Sequence, residues 1–227
     1  MKTVLITGIG RGIGQALSSR FLKEGWSVLG TYLNTPVPAN EPSLKTFELD
    51  LSSEESIGAC AEAIKAAGTK IDALINNGGI LVDDEETRLI PDKLRKTLDV
   101  NVIGTASFTE KILPFMAAGG HIVFLSSQAG SLGEMDRLED SHYPYHYPAY
   151  KISKCALNMY VRTLAARMKH EGFDLTVSAV HPGWIRTDMG GDEAPTPPQE
   201  AAADIFALVT SRPPTGQFWY KGKKFPW

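Results

Sequence analysis

Glycines with a helix-opening spacing are the first residues in this chain that can do chemistry. Thr7-Gly8-Ile9-Gly10-Arg11-Gly12-Ile13-Gly14 follows the apolar run Val4-Leu5-Ile6, which reads as a buried parallel strand. A helical pattern starts at once, with Ile13, Leu17, Phe21 and Leu22 on one face. A strand, a glycine turn and a helix N-terminus together make an anion site. Backbone N–H groups reach a pyrophosphate, and the helix dipole favours its charge. Further on, Tyr150 and Lys154 stand four apart, so on a helix both project from one face. A free phenol titrates near about pH 10, and an adjacent ammonium stabilises the phenolate and lowers that value. The pair then suits general acid–base work near neutrality. Taken alone, this spacing is usually a surface pair on a helix, and a glycine turn is often only a turn.

The elements that must position these groups alternate between strand and helix. That alternation predicts an α/β fold, a Rossmann-like doubly wound parallel sheet of about seven strands with helices on both faces. Strands are predicted near 3–7, 27–32, 44–48, 71–75, 121–126, 175–180 and 217–220. Helices are predicted over roughly 12–24, 53–67, 91–117, 149–171 and 198–210, the second capped by Ser52 with Glu55 three residues on. The whole of 1–227 reads as one domain, with an inserted loop about 128–148 and a short substrate loop about 190–198. The inserted loop carries His142, Tyr143, Tyr145, His146 and Tyr147 and reads as a lid or pocket wall. Pro144 lies between His142 and His146, which argues against a helical pair of metal ligands.

Composition narrows the function classes. Hydrophobic residues at 43% and charged residues at 22% are those of a globular protein, and a net charge of −3 excludes an electrostatic footprint for nucleic acid or anionic membranes. Cys60 and Cys155 are too few for a disulfide framework and sit in no CxxC, which points to a reducing compartment. The first strand starts directly after Met1, with no leader pattern before it, so a cytoplasmic location is expected.

The motifs, in order, resemble those of the short-chain dehydrogenase/reductases. The glycine segment is followed by Asn76-Asn77-Gly78-Gly79, which resembles N-N-A-G with glycine in place of alanine, and by Asn101 within Leu98-Asp99-Val100-Asn101-Val102. Phe124-Leu125-Ser126-Ser127, Tyr150-Lys151-Ile152-Ser153-Lys154 and His181-Pro182-Gly183-Trp184-Ile185-Arg186-Thr187 complete the set. The C-terminal half, through Thr187-Asp188-Met189-Gly190-Gly191 and the final Pro226-Trp227, is similar to C-factor and sniffer-type carbonyl reductases.

The resemblance implies an oxidoreductase that moves a hydride between nicotinamide and a small ketone or aldehyde. It implies Tyr150 as proton donor, Lys154 as its activator and ribose ligand, Ser127 orienting the carbonyl, and Asn101 in a proton relay through water. Ser126 is the competing serine, and Ser127 is favoured as the second of the pair. For the cofactor it implies Gly8, Gly10, Arg11, Gly12, Ile13 and Gly14 at the phosphates, and Thr31 and Tyr32 at the end of the second strand. Asp50 and Leu51 would frame the adenine, with Asn77 and Gly78 along the adjacent ribose. Pro182, Gly183, Ile185 and Thr187 would lie at the nicotinamide and phosphates. Tyr32 occupies the place where NAD enzymes put a carboxylate, and Arg11 can reach a 2′-phosphate, so NADP(H) is expected over NAD. Arg11 also reads as an ordinary surface arginine. Helices 91–117 and 149–171 are family dimer faces, so a homodimer or homotetramer is in view. The other function carried forward is a nicotinamide-binding signalling or sensor protein with incidental turnover.

Overall fold

The computed structural model describes residues 1–34, 37, 41–135 and 145–227. Eight strands form one sheet: β1 (Thr3–Ile6), β2 (Ser27–Tyr32), β3 (Leu44–Glu48), β4 (Ile71–Asn76), β5 (Met116–Leu125), β6 (Leu175–Val180), β7 (Gln217–Tyr220) and β8 (Lys223–Lys224). Their order is β3-β2-β1-β4-β5-β6-β7-β8. Every pairing is parallel except β7 with β8. The chain builds outward from β1 through β2 to β3, then returns to build from β4 on the other side of β1. That reversal opens a crevice beyond the carboxyl ends of β1 and β4, where open sheets bind ligands.

The helices are α1 (Gly12–Lys23), α2 (Glu54–Ala66), α3 (Pro91–Leu98), α4 (Thr105–Ile112), α5 (Pro148–His170) and α6 (Pro198–Ser211). Alternation along each strand sends its side chains into two cores. Leu5, Leu74, Ile122 and Phe124 pack with Ile57, Phe108, Leu157 and Val161 on one face. Val4, Ile6, Ile75 and Val123 pack with Leu17, Phe21 and Ile205 on the other. Among the described residues no helix is long and apolar enough to cross a membrane.

Three details depart from the sequence-based expectation. The predicted helix 91–117 is broken into α3, a π-helical turn over Asp99–Gly104, α4 and a 3₁₀ turn at Leu113–Phe115. Strand β5 then begins at Met116, because Ala117-Ala118-Gly119-Gly120 is held by pairing with β4 and β6 and not by its own propensity. The α2 cap is Ser53, not Ser52: Ser53 Oγ accepts from the Ser56 N–H at 3.2 Å, while the Ser52 hydroxyl donates to Asp50 Oδ1 at 2.6 Å. The unpredicted eighth strand is only Lys223-Lys224, whose charges suit a sheet edge. Beyond it the chain folds back, and the Trp227 and Pro226 carbonyls accept from the Gly133 N–H and the Ser131 hydroxyl.

Candidate active site

The glycine turn caps β1 at the crevice and is held there by side chains beneath it. Gly8 and Gly12 have φ of +73° and +55°, a region that excludes most L residues. A Cβ on Gly14 would stand 2.0 Å from the Gly8 carbonyl oxygen. Thr7 Oγ1 accepts from the N–H groups of Asn77 (3.0 Å) and Gly78 (2.8 Å), and the Asn77 amide donates to the carbonyls of Thr7 and Gly8. Thr31 lies buried below the turn and accepts from the Gly8 N–H at 3.2 Å, so it braces the turn and does not line the crevice. Thr7 as a brace escaped the sequence reading. Its only signal is its place directly before the first glycine.

Helix α1 then starts with no side-chain cap and no acidic residue in its first turn. Uncapped N–H groups, a positive helix end and glycine-only backbone fit a pyrophosphate. Ile13, in that first turn, is half-buried. Thr187, in the loop after β6, approaches this turn: its Cγ2 would lie 3.1 Å from a Cβ on Gly12. Arg11 is exposed and ion-paired with the equally exposed Asp188, so the loop after β6 is clasped to the glycine turn.

The remaining predicted cofactor residues ring this crevice. Tyr32 ends β2 opposite Glu48. Asp50 accepts from the Ser52 N–H and hydroxyl, and Leu51 Cδ1 would lie 3.1 Å from a Cβ on Gly78. Gly10 borders Val37. Pro182 and Gly183 (φ +100°) follow β6, and Ile185 is buried where its backbone bridges to Thr196.

Strand β5 ends beside β6, and α5 crosses its carboxyl end. The structure separates the two serines. Ser126 is buried and donates to Asn158 Oδ1 at 2.6 Å. Ser127, at the mouth, hydrogen-bonds the Tyr150 side chain, which draws the phenol pKa down. Burial outweighs that bond and pushes Tyr150 up to about 12. Lys154 is buried on the same helix face, with Nζ donating to the Leu125 carbonyl at 2.8 Å and lying 5.5 Å from the Tyr150 ring centre. Burial pulls its pKa down to about 8. The expected lowering of Tyr150 by Lys154 is therefore overturned: desolvation disfavours the charged form of both groups.

Asn101 sits in the π-helical turn, fully buried. Its Oδ1 accepts from the Ile80 N–H at 2.8 Å, and its amide donates to the Ile80 carbonyl (2.9 Å) and Ser153 Oγ (3.1 Å). Ser153 Oγ in turn donates to the Tyr150 carbonyl at 2.7 Å. The side chain expected in a proton relay is thus committed to tying the turn after β4 to α5. Gly79 lies between Asn101 and Lys154: a Cβ there would be 3.1 Å from Asn101 Oδ1 and 3.7 Å from Lys154 Nζ. Of the inserted loop, residues 136–144, with His142 and Tyr143, lie outside the described residues. His146 is within 3.3 Å of the Asp84 carbonyl.

Comparison with known proteins agrees with this arrangement. A family model described as short chain dehydrogenase matches residues 2–197. A 1-hydroxy-2-glutathionyl-2-methyl-3-butene dehydrogenase from Rhodococcus sp. (strain AD45) is 28% identical over 233 residues, covering 99% of each chain. A protein named C-signal from Myxococcus xanthus is 31% identical over 167 residues, covering 69% of this chain and 93% of its own. A short-chain dehydrogenase/reductase from Burkholderia multivorans, solved with bound NADP, superposes with a TM-score of 0.86 at 27% identity over 100% of this chain and 99% of its own.

Proposed function

The chain belongs to the short-chain dehydrogenase family, and from that premise we propose that it is a cytoplasmic, NADPH-preferring carbonyl reductase for small ketones or aldehydes. The observation that carries this reading is the convergence of Ser127, Tyr150 and Lys154 beside a glycine cradle. NADPH, when bound, supplies the hydride. The uncapped first turn of α1 with Gly8, Gly12 and Gly14 would hold its pyrophosphate. Arg11 would take the 2′-phosphate after exchanging partners with Asp188. Tyr32 offers no carboxylate to repel that phosphate, and the Burkholderia relative's NADP supports the same preference.

Ser127 orients the substrate oxygen with its hydroxyl. Tyr150, held at about 12, keeps its proton throughout the neutral range and can donate it to the oxygen as negative charge builds there. That protonation state suits reduction, since oxidation of an alcohol would need the phenolate. Lys154, at about 8, carries an ammonium at neutral pH and stabilises the phenolate left behind. The α5 surface, where Ile152 and Met159 are exposed, is the face on which a homodimer would form.

The match to C-signal favours a second reading, a nicotinamide-binding signalling protein whose turnover is incidental. NADPH oxidation measured across ketones, aldehydes and quinones separates the two. Turnover that disappears in Tyr150→Phe supports the reductase. Tight NADPH binding with no turnover on any carbonyl supports the sensor.

A further inference from the structure

Helix α5 has an unusual start for an element that must aim a proton donor. Tyr150 is only its third residue. The residue before the helix, Tyr147, has φ 46° and ψ 54°, a left-handed conformation costly for a side chain of its size, and provides no side-chain cap. Pro148 follows and has no N–H. Left to itself this first turn would fray.

A turn from a distant part of the chain holds it instead. Asp83 Oδ2 accepts from the Ala149 N–H at 2.6 Å, one residue before Tyr150. The Glu86 carbonyl accepts from the Tyr147 N–H at 2.9 Å. The turn is closed by the Glu86 N–H donating to the Asp83 carbonyl, and Glu86 is tied to α3 through Lys93 at 2.6 Å. Asp83 is only 2% exposed, and its other oxygen, Oδ1, is buried with no hydrogen-bond partner among the described residues. A buried oxygen left unpaired is destabilising, so its presence must be offset by what Asp83 does at α5. The segment bearing Asp83 also bears Asn77, Gly78, Gly79 and Ile80, the residues that brace the glycine turn and clasp Asn101.

We propose that Asp83 is a positioning residue for the reaction: by capping α5 from outside the helix, it fixes where the Tyr150 phenol stands relative to Ser127 and Lys154. This inference rests on the carbonyl-reductase reading. It joins the segment under the cofactor cradle to the proton donor through one hydrogen bond. Misplacement of a reacting group on the order of 1 Å can cost about a hundredfold in rate, so a loosened first turn affects the chemical step before it affects binding.

The test compares Asp83→Ala and Asp83→Asn in the full-length protein, with NADPH affinity titrated by fluorescence and amide exchange followed over residues 149–153. Asp83→Ala should lower kcat by about tenfold or more, with the carbonyl KM and NADPH affinity within about twofold, and should speed exchange in the first turn. Asp83→Asn keeps an accepting oxygen and should restore kcat and exchange to near the wild-type values. Wild-type kcat in Asp83→Ala, an equal loss of kcat and NADPH affinity, or failure of Asp83→Asn to rescue would each overturn the inference. If Asp83→Ala does not fold, Asp83→Glu, with its carboxyl group displaced by one methylene, must show the same selective kcat loss, and wild-type kcat there overturns it. Tyr150-dependent turnover that ignores Asp83 defeats this inference alone. A wild-type protein without turnover defeats it together with the reductase reading.

Discussion

The two ends of the crevice are built from different materials. The phosphate end is backbone: Gly8 and Gly12 in left-handed conformations, an uncapped helix start, and one exposed ion pair between Arg11 and Asp188. The proton-transfer end is buried side chain: Lys154 bonded to Leu125, Asn101 bonded to Ile80 and Ser153, and Tyr150 pushed up by desolvation. A backbone cradle takes a phosphate by shape, and solvent screens the charges around it. A buried cluster fixes protonation states, because desolvation moves them far from their free values. Substitutions at the two ends should therefore separate into effects on affinity and effects on rate.

The largest expected effect sharpens that contrast. Tyr150→Phe keeps the ring packing and removes only the hydroxyl. Steady-state assays should show a loss of about 10²–10⁴-fold in kcat, with NADPH affinity nearly unchanged. Lys154→Ala should cross the divide and harm both, since the lysine is asked to hold the ribose as well. A well-folded Tyr150→Phe protein that still reduces carbonyls would mean that another group supplies the proton.

Arg11→Ala should do the opposite of Tyr150→Phe. NADPH binding should weaken by roughly 1.5–3 kcal/mol, the scale of a charge-assisted hydrogen bond, with NADH binding unaffected. Titration of the unmutated protein with both cofactors is the prior check, and equal or tighter NADH binding ends the NADPH assignment.

A pH profile probes the buried end by itself. Lys154 titrates near about 8 because burial disfavours its ammonium. The rate of reduction should hold on the acid side of that value and fall as pH rises through it, when the lysine loses the charge that stabilises the phenolate. A rate that stays level well above pH 8 would remove Lys154 from that role.

The smallest effect belongs to the exposed clasp. Asp188→Asn frees Arg11 from its partner. Exposed ion pairs contribute about 0–1 kcal/mol, so NADPH affinity should rise by no more than about fivefold, and the gain should shrink with added salt. Tighter binding that persists in high salt would show that Asp188 acts by something other than its charge.

Much of this layout was legible because it is local. The glycine turn, the strand before it and the helix after it lie within fourteen residues of the start, and Tyr150 and Lys154 share one helix face. The contacts that complete the site join distant parts of the chain and leave no periodicity. Arg11 meets Asp188 across 177 positions, and Asp83 reaches Ala149 across 66. The acidic run Asp83-Asp84-Glu85-Glu86 has the composition of a solvated loop, yet its first member is buried. The opposed pKa shifts of Tyr150 and Lys154 depend on burial depth, which spacing does not carry. Strand β5 was misplaced at its start because Ala117-Ala118 reads as helix until β4 and β6 flank it.

The π-helical turn at Asp99–Gly104 has a consequence for sequence length. A π turn holds one residue more than the α-helical turn it replaces. Removing any single residue between Asp99 and Gly104 would let the helix close to α geometry and rotate one side of the break by about 100° against the other. Phe108 and Ile112 on α4 are locked in the core, so the rotation would fall on the segment before them and carry Asn101 away from Ile80 and Ser153. A Cβ on Gly104 would stand 1.8 Å from the Leu51 carbonyl oxygen, so the turn has no slack on that side either. The chain is thus intolerant of a one-residue deletion here, although the same deletion in an exposed loop would be absorbed.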